Sequence, residues 1–125
     1  MNTIVLFTKS KTWDPRSWVM SMEGGQVKGD HFVVEMASSW ISLNLCENVF
    51  EDYENVEEDK VKTMVTDPTA HLVEWKGDEI IRKFIDNFPT DQDAVVDNDH
   101  GLICKLVELK GMEVGCWSSE KLIKN

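Results

Sequence analysis

Between Asp78 and Phe88 the apolar residues Ile80, Ile81, Phe84, Ile85 and Phe88 recur at spacings of three and four. That period places them on one face of a helix, with Asp78 able to cap its start and Pro89 to end it. Elsewhere the period falls to two. Trp40, Ser42, Asn44 and Cys46 alternate with Ile41, Leu43 and Leu45, the pattern of a strand with one face in a core and one more polar. His31 to Met36 is its partner in a hairpin closed by Ala37, Ser38 and Ser39. The β-branched run Thr3 to Thr8 predicts a central first strand, Ala70 to Trp75 another, and Asp93 to Asp97 a short one.

Three further segments read as helical. Asp14 and Pro15 form an entry signal, Trp18 and Met22 share a face, and Gly24 and Gly25 stop the helix, leaving residues 24–30 as a turn. Asn55 to Glu58 begins a second helix, with Val56, Val61, Met64 and Val65 as its apolar face and Asp67-Pro68 as its end. Leu102 with Leu106, and Ile103 with Val107, pair at i and i+4, which favours a helix ending near Gly111 over the alternative of a strand. Residues 117–125 are expected to be helix or coil. The order strand, helix, strand, strand, helix, strand, helix, strand, helix predicts an α+β fold. We expect one globular domain over residues 1–125, a mixed sheet of about four to five strands with three to four helices packed on it.

Composition supports a folded chain. With 125 residues, 42% of them apolar, and five Trp and five Phe, it is neither disordered nor short of a core. No apolar run approaches the length of a membrane span, and Ile4 to Phe7 is too short for a secretion signal, so a cytoplasmic location without membrane association is expected. Cys46, Cys104 and Cys116 are odd in number and share no C-x-x-C spacing, which fits a reducing compartment and offers no zinc site.

Charge changes the picture more. The net charge is −10, and residues 47–99 hold 16 acidic and 5 basic groups, so the whole excess lies mid-chain. Such a field repels nucleic acid and attracts basic proteins. Direct nucleic-acid binding is not expected.

Motifs for catalysis are missing. Asp97-Asn98-Asp99-His100-Gly101 hints at a cation site, but its glycine is one position early for an EF-hand, and Gly101 has no side-chain oxygen to offer. The same residues suit a turn or a helix cap, with Asp99 as the cap. His31, His71 and His100 are widely separated, and no nucleophile elbow or phosphate-binding loop is present. We expect no catalytic residue, no metal and no cofactor.

The run from Glu47 to Asp59 holds seven carboxylates and no basic residue. Such runs are commonly solvated surface. A second acid-only window, Asp86 to Asp99, follows, and two unneutralised clusters in one small domain repel themselves unless a cationic partner relieves them. Phe50 and Tyr53 lie inside the first run, as anchors in an interface do. The expected contact residues are Phe50, Glu51, Asp52, Tyr53, Glu54, Glu57 and Glu58, with Asp97 and Asp99 as a second patch.

As a type, this small, acidic, Trp-rich α+β chain without catalytic motifs resembles the immunity proteins of bacterial contact-dependent inhibition and related polymorphic toxin systems. Segments such as Trp13-Asp14-Pro15-Arg16-Ser17-Trp18 and Val95-Val96-Asp97-Asn98-Asp99-His100-Gly101 share in that resemblance. It implies an antitoxin that binds and neutralises a cognate basic toxin domain of nuclease type. The alternatives are an anti-restriction or DNA-mimic protein, and a small metal-dependent enzyme using Asp97, Asp99 and His100.

Overall fold

The computed structural model describes residues 2–90, 92–98 and 102–114. Its centre is one sheet of seven strands in the order β2-β3-β4-β5-β1-β6-β7. The strands are β1 (Asn2–Lys9), β2 (Gly25–Lys28), β3 (His31–Glu35), β4 (Trp40–Cys46), β5 (Pro68–Lys76), β6 (Ala94–Asp97) and β7 (Ile103–Lys105). The α+β class stands, but the sheet is larger than expected and every pairing in it is antiparallel, not mixed. β1 is interior, as its apolar content predicts, and pairs with β5 from Asn2↔Trp75 to Lys9↔Pro68.

The two added strands were hidden by local chemistry. β2 occupies the stretch read as a turn, because Gly24, Gly25, Gly29 and Asp30 mask a four-residue edge strand. At the other edge the predicted helix 102–111 is instead β7 followed by a 3₁₀ turn, Leu106–Gly111. There Leu106 and Leu109 are buried three residues apart, while Val107 is 58% exposed. The true period is three, that of a 3₁₀ helix. Arg82 fastens this turn by donating to the carbonyl oxygens of Leu109, Lys110 and Met112.

Three α-helices lie on the two faces: α1 (Arg16–Ser21), α2 (Asn55–Met64) and α3 (Asp78–Asn87). α1 is shorter than its sequence suggests, and Asp14 caps it from outside, its Oδ1 accepting the Arg16 N–H at 2.8 Å. α3 buries Ile80, Ile81, Phe84 and Ile85 against Ile4, Leu6, Ile41, Leu43, Val73 and Trp75. It follows Gly77, whose φ of +93° suits glycine, and an added Cβ there would come within 2.6 Å of Ser39 Cβ. This is the main core. α2 serves a smaller core on the opposite face, made by Phe7, Val61, Val65, Ala70, Val95 and Ile103. Val56, expected on the apolar face of α2, is 78% exposed. It stands five positions before Val61, which turns it about 140° away at 3.6 residues per turn.

His71 is buried on the main-core side of β5, edge-on to the rings of Trp13 and Phe32. Its Nδ1 has no hydrogen-bond partner among the described residues. Burial holds the imidazole below its ordinary value of 6.5, outweighing the opposite pull of Asp14 and Asp30.

Candidate functional site

The carboxylate run leaves β4 at Cys46, makes a 3₁₀ turn at Val49–Asp52, and enters α2. A 3₁₀ helix repeats every three residues, so Phe50 and Tyr53 fall on one side and Glu51 and Asp52 on the others. The aromatic side faces the sheet. Phe50 stacks on Phe7 with ring centres 5.6 Å apart, Tyr53 meets Phe7 edge-on at 6.0 Å, and the two rings meet each other at 5.4 Å. The Tyr53 hydroxyl donates to Asp97 Oδ2 at 2.5 Å, linking the turn to β6. Lys62 lies over the Phe50 ring, its Nζ 5.1 Å from the centre.

This changes the parts that individual residues can play. Phe50 and Tyr53 are half-buried supports of the turn. Asp97 is 7% exposed and receives the Tyr53 hydroxyl, so its carboxylate belongs with the first acidic window as a support for it. Asp99 lies outside the described residues, as do His100 and Gly101. Of the metal-enzyme trio only Asp97 is described, and no cluster of three His, Cys, Asp or Glu side chains suited to a metal occurs among the described residues.

Within the run the acids divide by task. Glu57 Oε1 accepts the Glu54 backbone N–H at 3.2 Å and so closes the first turn of α2. Glu58 pairs with Lys62 at 2.5 Å. Glu47, Glu51, Asp52, Glu54 and Asp59 are exposed and make no ion pair among the described residues. The face they occupy therefore keeps most of its charge. The second window is split from it: Asp86 sits on α3, across the sheet, where it pairs with Arg82 at 3.3 Å.

Beside the 3₁₀ turn the sheet is only partly covered. Val5 and Leu72, paired across β1 and β5, remain half-exposed on the same side as Phe7. With Cys46, Asn48, Val49, Asp52 and Tyr53 they line a hollow of about 420 Å³. Neither Val5 nor Leu72 was singled out from the sequence. The signal was their shared parity with Phe7 and Ala70 on paired strands, which becomes readable only once the register is known. A larger hollow of about 720 Å³ lies across the sheet between α3 and the 106–111 turn. Asp78, Glu79, Asp86 and Glu113 line it together with the cations Arg82 and Lys110, two of these acids being paired with Arg82 and Lys83.

No family model, no curated protein and no solved structure matches the chain. No helix among the described residues is long and apolar enough to cross a membrane.

Proposed function

We propose that the chain is an immunity protein that binds and neutralises a basic toxin domain of nuclease type, using the acidic face built by the Val49–Asp52 turn and the start of α2. The observation that carries this reading is the outward display of Glu47, Glu51, Asp52, Glu54 and Asp59, none in an ion pair among the described residues, around a turn whose aromatic residues fix it to the sheet. A nuclease presents a cationic cleft shaped for phosphates, and clustered carboxylates fit such a cleft as phosphate substitutes. Opposed fields also steer encounter, lifting association rates to about 10⁸ M⁻¹s⁻¹ at low salt.

A DNA mimic needs carboxylates along one extended strip. Among the described residues, Asp86 lies on α3 across the sheet from the first run, while Asp97 turns inward to Tyr53, so the carboxylates form no single strip and the immunity reading is preferred.

The test is recovery of the partner from cells of the source organism and its identification by mass spectrometry, followed by nuclease assays with and without this protein. Glu51→Lys with Asp59→Lys then examines the face itself. Glu54 and Glu57 are left intact because together they form the capping box of α2. We expect association about tenfold slower at low salt, with a flatter salt dependence. An acidic partner, a partner whose activity is untouched, or unchanged association kinetics would each refute the proposal.

A further inference from the structure

We infer that the hollow between β1, β5 and the 3₁₀ turn is the anchor pocket of this interface, and that it receives an arginine side chain of the basic partner. The inference rests on the reading just given and adds to it a place and a recognised chemical group. The floor is apolar: Val5 and Leu72 face each other across the β1–β5 pairing, with Cys46 and Val49 beside them. One carboxylate, that of Asp52, stands among the lining residues, exposed and without an ion pair among the described residues. An apolar floor with a single anionic group at its side suits a side chain with a hydrocarbon stem and a cationic head. Arginine fits better than lysine, since its planar fork meets one carboxylate through two parallel hydrogen bonds and is the more weakly hydrated cation. A volume of about 420 Å³ falls in the range of roughly 300–1,000 Å³ typical of pockets that hold small groups.

The wall is also braced. Tyr53 is held by its bond to Asp97 and by the rings of Phe7 and Phe50, so the pocket does not have to be assembled on binding. Preformed pockets that bury an arginine are where binding energy concentrates in protein interfaces. The surrounding carboxylates at Glu47, Glu51 and Glu54 supply long-range attraction, and the pocket supplies the fit.

The experiment is a nitrogen-15 NMR titration of the full chain with Nα-acetylarginine amide, alongside its neutral near-isostere Nα-acetylcitrulline amide. The arginine probe should shift the backbone amides of Val5, Cys46, Val49, Asp52, Tyr53 and Leu72, and the citrulline probe should bind about fivefold more weakly. Asp52→Asn, a change at an exposed position, should cost the arginine probe about the same factor. Leu72→Ser should weaken both probes, with the remainder of the spectrum showing that the fold is kept. Equal binding of the two probes, shifts confined to Glu54–Asp59, or no shift at the lining residues would overturn the pocket. Those outcomes leave the acidic-face reading to be judged by Glu51→Lys with Asp59→Lys, neither of which lines the hollow.

Discussion

His71 shows what a single position in this fold can do to the whole. Its ring lies between Trp13 and Phe32 at 5% exposure, and burial disfavours the charged form there. The folded chain therefore resists a proton that the unfolded chain accepts once the pH drops below 6.5. Stability from this group is complete above that value and is lost as pH falls beneath it, by at most about 1.4 kcal/mol per pH unit until the folded imidazole also titrates. Denaturant midpoints followed from neutral to mildly acid pH should show this slope, and His71→Phe should flatten it. An unchanged slope in the variant would place the acid sensitivity elsewhere. From the sequence His71 was legible only as one of three scattered histidines, since a buried environment is assembled from three separate segments. The exposure of Glu51 and Asp52 was legible from charge alone. That Asp97 turns inward was not, because nothing local distinguishes it from its acidic neighbours.

Elements were readable where one strong period acts alone. α3 and the β3–β4 hairpin lie within a residue or so of their expected bounds, because their apolar spacing and their terminating residues agree. The Val49–Asp52 turn was not readable: four residues hold too little of any period, and its charge drew attention away from Phe50 and Tyr53 as packing groups. What holds that turn is tertiary, the Phe7 ring and the Asp97 carboxylate. Tyr53→Phe keeps the ring contacts and removes the hydroxyl. It should destabilise the chain by about 1.5–3 kcal/mol, the usual range for losing a hydrogen bond to a carboxylate. Amide exchange at Glu51 and Tyr53, whose N–H groups bond to the Asn48 and Phe50 carbonyls at 3.2 and 3.1 Å, should quicken beyond the global change. Exchange that rises equally across β1 and β5 would mean that Tyr53 supports the sheet as a whole and not the turn.

At the scale of the molecule, the acidic excess opposes the fold that displays it. A net charge of −10 on 125 residues repels itself, and the ion pairs among the described residues, Lys62–Glu58, Arg82–Asp86 and Lys83–Glu79, each join residues four apart within one helix. Such pairs contribute about 0.3–0.5 kcal/mol each at best and do not tie the acidic turn to the sheet. If the exposed carboxylates were only a solvated surface, removing them would improve stability without other consequence. If they serve binding, stability and association must move in opposite directions. Glu47→Gln, Glu51→Gln and Asp59→Asn together keep shape and Tyr53 packing while removing three charges. We expect the triple variant to gain about 0.5–1 kcal/mol at low ionic strength, with the gain fading as salt screens the parent chain. The same variant should associate with its basic partner more slowly, and the deficit should also shrink with salt. A gain in stability with no loss in association rate would identify the charge as a solubility feature and remove it from the interface.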